Sequence, residues 1–193
     1  VGNKLGVIDP KTGNITEYEI LTAFANPSDI ATDNDGNIWF VELRSNKIGM
    51  FDIAKKKFYN AIIPTSSSVP ISIAADKNNI IWFTENRGNK IGRLDPKIPL
   101  FAEYEIQTQR SLPTGITVDK NGVVWFTETD RDANKIGILI PPKFVGKKIA
   151  PQEDISEAKV QKKGKDTLFI IGGVSLILIA IVIMYLSRRK GKK

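Results

Sequence analysis

Glu42, Glu85 and Glu128 stand 43 residues apart, each three places after a tryptophan (Trp39, Trp82 and Trp125). Carboxylates set around a common axis could supply the oxygen ligands that Mg²⁺ or Ca²⁺ takes. The same regularity admits a second reading. A glutamate present in every copy can be a structural group that accepts N–H bonds from loop backbone, whereas a catalytic residue more often occurs in one copy only. Two positions further on the sequence reads Arg44, Arg87 and then Asp130, so this position varies while its surroundings repeat. The chain has neither histidine nor cysteine. The absence of cysteine excludes disulfides, thiolate metal sites and cysteine nucleophiles. The absence of histidine removes the commonest general base. No catalytic residue and no firm metal-ligand set is assigned from these residues.

The elements that must position these groups repeat with the same step. Pro27, Pro70 and Pro113 keep the 43-residue spacing. Within one repeat, Pro27–Asp33 reads as a first strand and Asn34-Asp35-Gly36-Asn37 as a tight turn, since Asp-Gly tolerates left-handed backbone. Ile38–Glu42 is aromatic and β-branched and reads as the second strand. Asn46–Asp52 reads as the third and Lys57–Ile63 as the fourth, ended by Pro64. The second strand recurs at Ile81–Glu85 and Val124–Glu128, and the third strand's opening Asn-Lys recurs at Asn3-Lys4, Asn89-Lys90 and Asn134-Lys135. Those Asn-Lys pairs read as turn and strand-entry residues. No segment before residue 150 carries a sustained helical period. Four strands per repeat of this length predict an all-β β-propeller over residues 1–142, with about three to four blades of a six- or seven-bladed ring. Three complete pairs of first and second strands are present, and the repeat phase opens at a third strand. The expectation is therefore the C-terminal part of a longer propeller. The tryptophans read as packing between blades, with a ligand-stacking platform as the alternative.

The remainder of the chain differs in composition. Segment 143–166 mixes Lys, Gln, Glu and Pro and reads as a stalk. Residues 167–187 carry no charge. They are long enough as a helix to cross a bilayer. Arg188-Arg189-Lys190-Gly191-Lys192-Lys193 follows at once and predicts a cytoplasmic C-terminus, with the repeats extracytoplasmic at the cell surface. The formal net charge is +7, yet residues 1–142 hold 16 Lys and Arg against 17 Asp and Glu. The excess positive charge belongs to stalk and tail, so no nucleic-acid partner is expected.

Trp82-Phe83-Thr84-Glu85, Asn89-Lys90-Ile91-Gly92-Arg93-Leu94-Asp95-Pro96 and Pro113-Thr114-Gly115-Ile116-Thr117-Val118-Asp119 resemble strings of the virginiamycin B lyase (streptogramin lyase) family, and more distantly NHL repeats. The resemblance covers about residues 1–142. It implies a seven-bladed propeller whose strands run from the innermost to the outermost. It implies, for the family's enzymes, opening of a cyclic depsipeptide antibiotic by elimination, with Mg²⁺ and with histidine and glutamate at the channel mouth. That strand order places Pro27, Glu42 and Arg44 at one mouth, with Pro70, Glu85 and Arg87, and with Pro113, Glu128 and Asp130. The six residues Glu42, Arg44, Glu85, Arg87, Glu128 and Asp130 are the candidate binding set. The chain departs from the family in having no histidine. The expectation is a membrane-anchored module that binds a small molecule, glycan or protein. The alternative is a lyase-like or lactonase-like enzyme, a carbon–oxygen lyase in the first case, whose catalytic blades are expected in a missing N-terminal part.

Overall fold

The computed structural model describes residues 2–141. The expected stalk (143–166), membrane span (167–187) and basic tail (188–193) lie outside the described residues. Among the described residues no helix is long and apolar enough to cross a membrane.

Thirteen strands, and no helix, are formed among these residues. Strands β1 (Lys4–Ile8) and β2 (Ile15–Glu19) make a two-stranded sheet. Strands β3 (Pro27–Thr32), β4 (Ile38–Glu42), β5 (Lys47–Asp52) and β6 (Lys57–Ile62) make a four-stranded antiparallel sheet, in that order. The next sheet repeats it with β7 (Pro70–Ala75), β8 (Ile81–Glu85), β9 (Lys90–Asp95) and β10 (Leu100–Glu105). The last has three strands, β11 (Pro113–Val118), β12 (Val124–Glu128) and β13 (Lys135–Leu139). Each sheet is a blade or part of one, and the first strands β3, β7 and β11 neighbour one another from blade to blade. This is a partial β-propeller.

The expected second strands coincide with β4, β8 and β12. The expected third strand starts one residue late, at Lys47, because Asn46 adopts a left-handed backbone (φ 56°) and turns the chain. The fourth ends at Ile62 rather than Ile63. Each first strand opens on proline, a position where a missing N–H is tolerated. Each also slips register by one residue, between Pro27 and Ile30, Pro70 and Ile73, and Pro113 and Ile116. This is a bulge repeated in all three blades.

Packing explains the repeated Trp-Phe and Ile-Gly strings. Phe40, Phe83 and Phe126 lie opposite Gly49, Gly92 and Gly137 on the neighbouring strand. A Cβ on any of these glycines would meet the phenylalanine ring at 2.1 to 2.2 Å. The glycine is required so that the ring can lie flat across the strand. Alternate residues face opposite neighbours. Trp39 and Ile48 pack forward onto Ile81, Phe83 and Leu94 of the next blade. Phe40, Phe51 and Phe58 pack back onto Leu5, Tyr18 and Ile20. Trp82 and Ile91 pack forward onto Val124 and Phe126. The tryptophans are thus inter-blade core at Trp39 and Trp82. Trp125 has the same strand phase but is 36 % exposed, because no further described blade lies beyond it. Its local anchor is unchanged. Trp39, Trp82 and Trp125 each donate an indole N–H to the aspartate six residues earlier, Asp33, Asp76 and Asp119, at 2.9, 3.4 and 3.3 Å.

Candidate functional site at the mouth loops

The register brings the candidate residues of each blade to one end. Pro27 pairs with Glu42, Pro70 with Glu85 and Pro113 with Glu128. The loop before each first strand is stitched there to the loop after the second strand. Arg44 N–H donates to Ala25 O at 3.3 Å, Arg87 N–H to Ser68 O at 2.9 Å, and Asp130 N–H to Ser111 O at 3.3 Å. To present those carbonyls the first loop takes left-handed backbone twice, at Phe24 and Asn26, Ser67 and Val69, and Arg110 and Leu112. Such a conformation is uncommon for a branched or bulky side chain. Only Asn26 among the six is of a type that favours it, and none is glycine.

The same loops are held from the blade they leave. Asn46 Nδ2 donates to Ile63 O (3.2 Å) and Thr65 O (2.9 Å), and its Oδ1 accepts from Ser68 N–H (2.8 Å) and the Ser68 hydroxyl (2.9 Å). Asn89 repeats all four bonds with Ile106, Thr108 and Ser111. Asn3 makes the first two with Ile20 and Thr22. The Asn of Asn-Lys is therefore a turn residue that clamps the connection to the next blade.

The glutamates lie under these loops rather than on them. Glu42, Glu85 and Glu128 are all buried. Glu85 is walled in by Gly88, whose added Cβ would meet its side chain at 3.0 Å. Neither of its carboxylate oxygens has a hydrogen-bond partner. Burial, and next the negative charge of Glu103, push its pKa up to about 7. Lys90 and the nearby hydroxyls of Ser68 and Thr65 pull weakly the other way. Lys90 is committed elsewhere, to Glu103 at 3.1 Å and to the Thr65 hydroxyl at 2.9 Å. Glu103 is itself saturated by Thr65, which donates its N–H and its hydroxyl at 2.8 Å each. In the preceding blade the position of Glu103 is Asn60, which donates to the Thr22 hydroxyl at 3.2 Å. Burial raises the Glu42 pKa as well, opposed by the Thr22 hydroxyl and Lys47.

This arrangement does not fit a divalent cation. Each glutamate is enclosed within its own blade junction, and the second carboxylate beside Glu85 is already bound by an ammonium group. Among the described residues no group of three or more acidic side chains is placed to hold a metal ion.

The other half of the candidate set faces outward. Arg44 and Arg87 are exposed, and Asp130 is half-buried. Asp130 lines an open pocket of about 490 Å³ with Gln109, Arg110, Leu112, Thr129, Arg131 and Asp132. The pocket arises from a local departure from the repeat. Four residues separate Glu42 from Asn46 and Glu85 from Asn89, but six separate Glu128 from Asn134. The longer loop is braced by Asp130, whose carboxylate accepts from Asp132 N–H at 3.1 Å and whose carbonyl accepts from Ala133 and Asn134 N–H at 3.1 and 3.0 Å. The 45-residue step from Asn89 to Asn134, against 43 elsewhere, was the sequence signal for this insertion.

With that geometry in view, similarity to known proteins becomes informative. The profile of the virginiamycin B lyase family matches residues 1–169. The chain is similar to the crystal structure of selenomethionine-substituted virginiamycin B lyase from Staphylococcus aureus, at 32 % identity and a TM-score of 0.63, over 74 % of this chain and 50 % of that one. A catalytically inactive histidine-to-alanine form of the Staphylococcus aureus lyase with quinupristin is similar at 32 % identity and a TM-score of 0.64, over 74 % of this chain and 50 % of that one. A streptogramin B lyase structure is similar at 32 % identity and a TM-score of 0.66, over 84 % of this chain and 49 % of that one. The chain thus spans about half the length of the lyase chains it matches. No curated protein sequence matches it at a significant level.

Proposed function

This chain belongs to the virginiamycin B lyase family, and from that premise we propose that it is the propeller part of a membrane-anchored, extracytoplasmic binding module. The ligand is a small molecule, glycan or protein that meets the mouth loops. The observation that carries this reading is the third blade's mouth. The first and second strands keep their lengths there, while the loop after β12 gains two residues and opens a pocket lined by two guanidinium groups and two carboxylates. It is an open cleft with a charged lining. Recognition residues concentrate on loops held by a rigid scaffold, and the Asn89–Ser111 clamp holds one wall of this pocket. Arg44 and Arg87 extend a charged surface around the same mouth.

The second reading is a lyase-like enzyme whose catalytic groups lie outside this sequence. It is favoured by the quinupristin-containing relative. In that protein a histidine is needed for catalysis, and this chain has none. The buried, individually enclosed glutamates also lack the access that a general base needs to a substrate proton.

The test uses the full chain in detergent micelles. Quinupristin linearisation is measured with and without Mg²⁺, and binding is measured on glycan and peptide arrays. We expect no linearisation, and array binding that is lost when Arg131 and Asp132 are deleted while the β-sheet circular dichroism is kept. Mg²⁺-dependent turnover that disappears in Glu85→Gln or Glu128→Gln overturns the binding-module reading, and so does array binding indifferent to the deletion.

A further inference from the structure

We infer that Asn14 is a glycosylation site, the side-chain amide to which an oligosaccharide is transferred from a lipid-linked donor. The inference rests on the extracytoplasmic reading above, because transfer from such a donor takes place outside the cytoplasm. Asn14-Ile15-Thr16 has the acceptor pattern, an asparagine with a hydroxyl residue two places on and no proline between them. No other asparagine of the chain meets it. Asn26-Pro27-Ser28 comes nearest and fails on Pro27.

The structure puts this triplet where a saccharide can be carried. Asn14 ends the turn between β1 and β2, and Asn14 and Thr16 are both exposed. Two residues apart in extended chain, their side chains lie on one side, with Ile15 on the other. The turn is held by other groups. Asp9 N–H donates to Asn14 O at 2.9 Å and Gly13 N–H to Asp9 O at 2.8 Å. The Asp9 carboxylate accepts from Lys11 N–H and the Thr12 hydroxyl at 2.9 Å each. Only the backbone of Asn14 takes part. By contrast, the side-chain amides of Asn3, Asn37, Asn46, Asn86 and Asn89 all donate within the fold. The edge is open because of its place in the blade. The matching turns of the four-stranded sheets, residues 53–57 and 97–99, are exposed as well, and the second belongs to a sheet with a neighbour on each side. A neighbouring sheet covers the faces of a blade and not this outer turn, so the exposure of Asn14 does not depend on what precedes β1. The turn also lies at the opposite end of its strands from Asn3 and the Thr22 loop, so a saccharide there leaves the mouth clear.

In the transfer the Asn14 Nδ2 attacks the anomeric carbon of the donor sugar. A C–N bond forms and the C–O bond to the lipid phosphate breaks. The phosphate leaves with the electron pair, the amide gives up one proton, and nothing is oxidised or reduced. The test takes the full chain from the membranes of the cells that make it and reads the proteolytic peptide spanning Asn14 by fragmentation mass spectrometry. We expect saccharide mass on Asn14, lost in Asn14→Gln and in Thr16→Ala but kept in Thr16→Ser. All three side-chain changes are at exposed positions, and circular dichroism verifies the fold. Intact cells are treated in parallel with a membrane-impermeant amine reagent, and labelling is read at the exposed Lys56 and Lys97. An unmodified Asn14 on a chain whose lysines are labelled overturns the inference and leaves the extracytoplasmic reading standing. An unmodified Asn14 with both lysines protected overturns the two together. Saccharide on Asn14 that persists in Thr16→Ala also overturns it, since the attachment would then not follow the acceptor pattern.

Discussion

At the scale of the residue, the repeated glutamate changes character between sequence and structure. Its 43-residue step marks it as important, and its chemistry suggests a ligand. The structure buries it beneath the loop that joins two blades, where its role is to pack against Gly88 and to sit beside Thr65, Lys90 and Glu103. Glu85 makes this testable through pH. Its folded-state pKa of about 7 stands above the ordinary glutamate value of 4.5. The folded chain therefore keeps a proton that the unfolded chain has released. The associated stability is fully present below pH 4.5 and is lost as pH rises through 7. Glu85→Gln mimics the protonated carboxyl, so it should remove this slope and be more stable than wild type at pH 8, by about 1–3 kcal/mol, the free energy the raised pKa withdraws from wild type as the unfolded chain ionises. Urea midpoints from pH 4 to 9 measure it. A slope unchanged by the substitution would mean that Glu85 is hydrogen-bonded and ionised throughout.

At the scale of the element, the strands were legible because alternation, aromatic content and Asp-Gly turns all agreed, as they do at Ile38–Glu42 and its copies. The pairing of Phe with Gly was not legible, because it joins two strands whose facing residues only the register identifies. It predicts a sharp effect. Gly92→Ala places a methyl group inside the Phe83 ring at 2.1 Å, in a site that is fully buried. Overpacking of this kind costs about 1–3 kcal/mol. Gly6→Ala is the internal control, since a Cβ there meets nothing within 4 Å. Thermal unfolding of the two variants should show a lowered midpoint for Gly92→Ala and little change for Gly6→Ala. Equal effects would mean that the close approach of the Phe83 ring is not what sets the cost. The mouth loops were the least legible elements. Left-handed backbone at Val69 and Leu112 has no glycine to announce it, and it is imposed by clamps from Asn46 and Asn89 more than twenty residues away.

At the scale of the whole molecule, the proposed anchor places the blades outside the cell and the basic residues 188–193 inside. A reporter active only in the cytoplasm, fused after Lys193, should be active; a silent reporter on a well-expressed fusion would reverse the orientation. The sequence by itself determined the period, the all-β class and the positions of the second strands, because each rests on local chemistry repeated several times. Family membership was legible in the same strings. Only the tertiary structure decided which repeated residues are reachable. Glu42, Glu85 and Glu128 share one spacing with Arg44, Arg87 and Asp130, yet the first three are buried and the others are exposed or half-buried. Spacing along the chain fixes the end of the blade on which a residue lies. Whether it meets solvent depends on the loop folded over it, which is held by groups from the neighbouring blade.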